Sequence, residues 1–129
     1  MVRHDLISDV FSAIKNAERA GKKEVVVKAS KLVEKILKVM QENGYIGAFE
    51  FIDDGKQGLL KIELKNRIID CNAIRPRFPV KVNELQKYEK RFLPARDVGI
   101  LILTTPKGVM DNKKARKMHV GGRLLGYVY

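Results

Sequence analysis

The chain of 129 residues has few of the groups that stabilise or anchor secreted and membrane proteins. It contains one cysteine and no tryptophan, and 7% of its residues are aromatic. A single thiol excludes an internal disulfide framework and leaves Cys71 without a second cysteine for a zinc site. No continuous apolar run approaches the length of a signal peptide or a membrane span. We therefore expect a cytoplasmic chain with no membrane partner.

The groups that most enzymes need are also scarce. His4 and His119 lie at opposite ends of the sequence with no spacing typical of metal ligands. Cys71 follows an acidic residue, Asp70, which disfavours a reactive thiolate, so we interpret this thiol as structural. Lys107-Gly108 reverses the Gly-Lys order of a phosphate-binding P-loop. The sequence predicts no enzyme, no cofactor and no metal ion.

Positive charge is abundant and unevenly distributed. The 26 Lys and Arg residues against 15 Asp and Glu residues give a formal net charge of +11. Residues 1–72 carry 13 basic and 11 acidic side chains, whereas residues 73–129 carry 13 basic and 4 acidic ones, a net charge of +9. Exposed charges act over roughly 8–10 Å at physiological salt, so the second half presents a basic face. The second half of the chain is therefore predicted to bind a polyanionic partner.

Hydrophobic residues make up 45% of the chain, and their spacing predicts an α+β fold of two small modules. The first, residues 1–72, is α-β-α-β-β, and we expect Ser30 to cap its second helix and Asn43-Gly44 to end it. Its predicted elements are a helix over residues 5–20, a strand over Glu24–Lys28, a helix after Ser30, and a hairpin of Tyr45–Ile52 with Leu59–Leu64.

The second module, residues 73–129, is predicted to be mainly β with short helices. Pro76, Pro79 and Pro94 interrupt its first part. Its predicted elements are a helix over Glu84–Lys90, a buried strand over Val98–Thr104, a helix over Asn112–Met118 capped by Asp111, and a strand over Arg123–Tyr129.

The passage from Thr104 to Asp111 is the first candidate site. We interpret it as a loop between a strand and a helix, a position that presents backbone N–H groups and hydroxyls outward together. Thr104 and Thr105 could bind base edges or ribose hydroxyls, Lys107 a phosphate, and Gly108 would let another backbone approach. The alternative is ordinary turn chemistry around Pro106.

The helix after this loop is strongly basic. Ala115 and Met118 are spaced as a pair that faces the core, which leaves four cations outward: Lys113, Lys114, Arg116 and Lys117. The alternative to a binding role is a solvated helix face. The pair Gly121-Gly122 allows close approach of a ribose-phosphate backbone, or it is a simple turn before Arg123.

A third candidate is the extended segment around Phe78. Arg75 and Arg77 precede this ring, so phosphates could pair with the cations while an unstacked base stacks on Phe78. The alternative is an edge strand protected by proline and charge. Tyr127 and Tyr129 are predicted to serve packing.

Several motifs in order along the chain resemble the small-subunit ribosomal protein eight family, in its archaeal and eukaryotic branch. The resemblance covers essentially the whole chain. Its motifs are Asn43-Gly44-Tyr45-Ile46-Gly47, Phe49-Glu50-Phe51-Ile52-Asp53-Asp54, Pro76-Arg77-Phe78, Leu93-Pro94, Leu103-Thr104-Thr105-Pro106-Lys107-Gly108-Val109-Met110-Asp111, Ala115-Arg116 and Gly121-Gly122.

The resemblance implies a ribosomal protein that binds an irregular helix in the central domain of small-subunit rRNA. It implies neighbouring small-subunit proteins as partners, a monomer outside the ribosome, and in some cases binding to its own mRNA. The contacts it implies are Thr104, Thr105, Lys107, Gly108, Gly121, Gly122 and Arg123, with a lesser contact at Ser30 and Lys31. Pro106 stands where the family has serine, so one hydroxyl is missing.

Without the family resemblance, the residues alone leave other functions open. A translational repressor would bind messenger RNA, and an enzyme could use the loop before residue 112 as an anion site. A role at a membrane surface is the least favoured, since the cations do not lie opposite bulky apolar residues on a long helix.

Overall fold

The computed structural model describes residues 6–75, 77–95 and 97–129. His4, Pro76 and the predicted helix start at residue 5 lie outside these ranges. The chain divides into two compact units between Cys71 and Asn72, and each unit is described by itself. Within the described residues, no helix combines the length and the apolar character needed to cross a membrane.

The first unit confirms the predicted α-β-α-β-β order. Its elements are α1 (Leu6–Arg19), β1 (Glu24–Lys28), α2 (Lys31–Glu42), β2 (Ile46–Ile52) and β3 (Leu59–Leu64). The strands form one antiparallel sheet in the order β1-β3-β2, with β3 in the middle. The hairpin of β2 and β3 is the one predicted from alternating apolar and polar residues.

The core of the first unit lies between its helices and its sheet. Helix α1 packs against β1 and α2 against β2. Alternate residues of β3 are buried, namely Leu60, Ile62 and Leu64. As predicted, Ser30 caps α2: its hydroxyl oxygen accepts the backbone N–H of Val33 at 3.1 Å. The cap therefore fixes where the chain turns from β1 into α2.

Cys71 is structural, as predicted from its neighbours. The side chain is fully buried, and its thiol donates a hydrogen bond to the carbonyl oxygen of Phe11 at 3.5 Å. Burial raises the pKa of Cys71 to about 12, and the negative charge of Asp70 adds to the effect. A thiol with so high a pKa is neutral at physiological pH and is a poor nucleophile.

The second unit is mainly β with short helices, as predicted. Its elements are β4 (Cys71–Ala73, whose first residue still belongs to the first unit), β5 (Pro79–Val80), a 3-10 turn (Val82–Glu84), α3 (Leu85–Phe92), β6 (Ile100–Thr105), β7 (Gly108–Asp111), α4 (Asn112–Met118) and β8 (Gly122–Val128). The sheet order is β4-β8-β6-β7, and β5 also pairs with β8. Strands β6 and β8 are therefore central and the short strands lie at the edges.

Three local predictions in this unit were wrong. The buried strand begins at Ile100, and Val98 is exposed before it. The passage after Thr105 is largely a strand, β7, because it pairs with β6. Met118 is 36% exposed, since it lies about 60° around the helix from the buried Ala115 and α4 ends there.

Removing the cap of α2 should destabilise the first unit. We expect Ser30→Ala to lower the free energy of unfolding by about 1 kcal/mol, because the N–H of Val33 loses its acceptor. Ser30→Asp should retain most of the stability, since a carboxylate can cap and also favours the positive end of the helix dipole. Urea unfolding followed by circular dichroism measures both. Equal losses in the two variants would contradict the capping role.

Candidate nucleic-acid interface

The predicted loop is a tight turn between β6 and β7. Thr105 pairs with Gly108, so that only Pro106 and Lys107 lie between the strands. The hydroxyl oxygen of Thr105 accepts the backbone N–H of Lys107 at 3.1 Å and donates its proton to the carbonyl oxygen of Gly108 at 2.7 Å. Toward a ligand this hydroxyl can therefore only accept a hydrogen bond.

The tip of the turn is the exposed part of this passage. Pro106 and Lys107 are exposed at its tip. Gly108 has a φ of +119°, which side-chain-bearing residues rarely adopt, and no atom would contact an added Cβ there. Glycine is therefore required by the backbone conformation of the turn. Thr104 is half-buried beside the turn and pairs with Val109 on one side and Arg123 on the other.

The glycine pair before β8 is explained by contacts inside the protein. A Cβ on Gly122 would lie 2.1 Å from the carbonyl oxygen of Thr104, and one on Gly121 would lie 2.4 Å from the carbonyl oxygen of Val80. Both distances are shorter than any real contact, so these positions must lack a side chain for β5, β6 and β8 to meet. Close approach of an RNA backbone stays a prediction that the fold does not require.

Helix α4 begins where β7 ends, so the basic face and the turn belong to one continuous segment. The carboxylate of Asp111 accepts the backbone N–H of Lys114 at 2.8 Å, which confirms the predicted cap. Lys113, Lys114 and Lys117 are exposed. Arg116 differs from them, because its guanidinium donates to the carboxylate of Glu89 in α3. Three lysines thus remain as the cations of this helix that are open to a partner.

A polar network that the sequence did not indicate holds α4 in place. Asn112 is 2% exposed. Its side-chain oxygen accepts the backbone N–H of Leu101 at 3.1 Å, and its side-chain nitrogen donates to Glu89. The carboxylate of Glu89 therefore binds both Asn112 and Arg116. No local pattern marks this pairing, since Glu89 lies 23 residues before Asn112.

The segment around Phe78 agrees with the alternative interpretation given above, a strand at the edge of the sheet. The ring of Phe78 stacks on Tyr88 with ring centroids 5.8 Å apart, and the guanidinium of Arg91 lies 5.4 Å from the centre of the same ring. Phe78 thus contributes to the core of the second unit. Arg75 and Arg77 are exposed, and the carbonyl oxygen of Arg77 accepts a hydrogen bond from Arg123 at 3.2 Å.

The predicted sites fall into two groups. The turn, the glycine pair and Arg123 lie together where β6 ends and β8 begins, whereas α4 starts at the opposite end of β7 from the turn. Ser30 and Lys31 lie at the start of α2 in the first unit, where Lys31 is exposed. Tyr127 and Tyr129 pack as predicted, in a stack with Phe92. Among the described residues, no group of three His, Cys, Asp or Glu side chains could hold a metal ion.

Comparisons with known proteins agree with the resemblance. The family model described as ribosomal protein S8 matches residues 5–129. Similar proteins named small ribosomal subunit protein uS8 occur in Thermoplasma volcanium and Thermoplasma acidophilum. Each is 54% identical over 129 residues, covering 99% of this chain and 100% of the relative. The protein of that name from Methanococcoides burtonii is 52% identical over 130 residues, with all of both chains covered.

Loss of the Asn112 side chain should destabilise the second unit. We expect Asn112→Ala to lower the free energy of unfolding by about 1–3 kcal/mol, because it leaves the buried N–H of Leu101 without an acceptor. Asn83→Ala, at an exposed asparagine, serves as the matched control and should change stability by less than about 0.5 kcal/mol. Chemical denaturation measures both variants. A stability of Asn112→Ala equal to that of the control would refute the structural role.

Proposed function

This chain belongs to the ribosomal protein S8 family, and we propose that its second unit binds an irregular helix in the central domain of small-subunit rRNA. The family is structural and non-enzymatic, so the prediction that the chain is not an enzyme is confirmed. As a small-subunit ribosomal protein it is cytoplasmic, within the ribosome. The three relatives are archaeal, which agrees with the predicted archaeal and eukaryotic branch of the family.

One observation carries the proposal: the turn between β6 and β7 and the three exposed lysines of α4 lie on one continuous segment. Lysines contact phosphates in any sequence and supply affinity that depends on salt. The turn offers backbone groups, Lys107 and the remaining acceptor of Thr105, which suit an irregular helix whose bases and ribose hydroxyls are accessible. The two parts thus supply affinity and specificity respectively.

Two further partners follow from this proposal. Neighbouring small-subunit proteins would surround the chain in the ribosome, whereas outside it the chain would be a monomer. A messenger RNA that folds like the ribosomal site would bind the same turn and the same lysines, so its own mRNA is a candidate for repression. Sequencing the RNA that co-purifies with the protein distinguishes ribosomal from messenger targets.

The proposal predicts a strong preference for structured RNA. We expect the purified protein to bind an irregular RNA helix more tightly than duplex DNA of equal length at every salt concentration, because the ribose hydroxyls that the turn can recognise are absent from DNA. Salt-titrated binding measures this preference. Equal affinity for both nucleic acids would reject specific recognition and leave a general affinity for polyanions.

The two parts of the site should respond differently to substitution. Lys113→Ala should weaken binding to every RNA and reduce the salt slope by about 0.7–0.9, the value for one lost phosphate contact. Thr105→Val should leave the slope unchanged but cost about 1 kcal/mol on the cognate RNA, since the turn loses both hydrogen bonds of its hydroxyl.

Lys90→Ala, at an exposed lysine of α3, is the matched control for Lys113→Ala. It should reduce the RNA affinity and the salt slope less than Lys113→Ala does. Each variant is compared on the cognate RNA and on a random RNA of equal length. The same loss on random RNA from Lys113→Ala and Thr105→Val would contradict the division between affinity and specificity.

A further inference from the structure

The carboxylate of Glu89 binds two side chains of α4. One of its oxygens accepts a hydrogen bond from the side-chain amide of Asn112, and the other accepts one from the guanidinium of Arg116. Glu89 belongs to α3, so this acid comes from a neighbouring helix. Both oxygens of the carboxylate are thus occupied, one by the start of α4 and the other by a residue near its end.

This pairing separates Arg116 from the other cations of α4. The sequence of the helix contains four basic residues and no acidic one. Lys113, Lys114 and Lys117 are exposed, whereas Arg116 forms an ion pair with Glu89. Arginine is the cation best suited to phosphate, because its planar guanidinium can donate two parallel hydrogen bonds. The strongest potential phosphate ligand of the helix is therefore the one that the fold pairs.

The ion pair of Glu89 and Arg116 is held more firmly than an ordinary surface pair. Exposed pairs contribute little, because both side chains must be ordered in water. Here the side chain of Glu89 is only 20% exposed, and its other oxygen is bound by the buried Asn112. If Arg116 moved to a phosphate, it would leave a half-buried carboxylate without its counter-charge, which is costly. Arg116 therefore stays with Glu89 when a phosphate approaches.

We propose that Glu89 is a specificity-determining residue, which keeps Arg116 from binding RNA so that α4 offers three lysines instead of four cations. This inference rests on the proposed function. An unpaired arginine would contact a phosphate of any RNA and raise the nonspecific affinity. On the cognate RNA the turn between β6 and β7 fixes the register, so an extra cation gains affinity only where a phosphate lies opposite it. Pairing Arg116 therefore lowers the affinity for other RNAs more than that for the cognate one.

The test removes the charge of Glu89 in the whole chain and keeps the shape of its side chain. In Glu89→Gln the side-chain oxygen can still accept from Asn112, but the ion pair with Arg116 is lost. The two probes are a transcript of the irregular central-domain helix and a random RNA of equal length. We expect the salt slope for the random RNA to steepen by about 0.7–0.9, the value for one added phosphate contact. The ratio of the affinities for the two probes should fall several-fold.

Arg116→Gln and the double variant complete the comparison. Arg116→Gln alone should leave both salt slopes unchanged, because a paired arginine makes no phosphate contact, and this result decides the matter even if Glu89→Gln folds poorly. In the double variant the slope should return to that of the unchanged protein, since the released cation is gone. Glu63→Gln is the control, because it makes the same change in net charge at an exposed residue of β3 and should not steepen the slope.

Three outcomes would overturn the inference. One is an unchanged or shallower slope for folded Glu89→Gln, which would leave the carboxylate only the role of joining α3 to α4. Another is a shallower slope for Arg116→Gln alone, since Arg116 would then already contact RNA. The third is an equally steep slope for Glu63→Gln, which would make the effect one of net charge.

The proposed function is tested separately by glutamines at Lys113, Lys114 and Lys117. If these three changes make the slope shallower while Glu89→Gln does not steepen it, only the role of Glu89 is rejected. If they leave the slope unchanged, the assignment of α4 to RNA binding fails as well.

Discussion

The side chain of Asn112 joins three elements of the second unit, and the shape of the candidate interface depends on it. Strand β7 ends at Asp111, so the N–H of Leu101 in the neighbouring strand β6 has no further backbone acceptor there. The side-chain oxygen of Asn112 takes that place, while its nitrogen binds Glu89 of α3. Since Asn112 is also the first residue of α4, one buried amide fixes where the strand stops and the basic helix begins.

Several residues that look functional in the sequence already have partners within the protein. The hydroxyl of Thr105 closes its own turn, Arg116 binds Glu89, and the ring of Phe78 stacks on Tyr88. Gly122 is required because β6 passes too close for a side chain. These contacts hold the side chains in place within the protein, and a preorganised surface loses less entropy on binding a partner. The proposal assigns RNA binding to the groups that stay exposed, the backbone of the turn and the lysines of α4.

The first unit was predictable almost to the residue because its signals are local. Apolar spacing marks both helices, Ser30 marks the start of α2, and alternation marks the hairpin. The second unit was harder to predict from the sequence. Strand β4 has three residues and β5 has two, and both form only by pairing with β8. The turn of Pro106-Lys107 lacks the Asn-Gly type of hairpin signal, which is why β7 was interpreted as loop.

The sequence predicted which residues of the candidate site lie near each other better than it predicted the contacts that their side chains make. The basic helix and the turn follow from residues that are neighbours in sequence. The roles of Thr105 and Arg116 could not be predicted, since each depends on a partner that folding supplies, and the partner of Arg116 lies 27 residues away.

Amide hydrogen exchange of the whole protein, with and without a structured RNA of the cognate type, tests the central claim most directly. If the second unit holds the specific site, RNA should slow exchange most strongly at residues 104–108 and along α4, and a random RNA should protect the turn much less. Protection by both RNAs that is confined to the first unit would contradict the account.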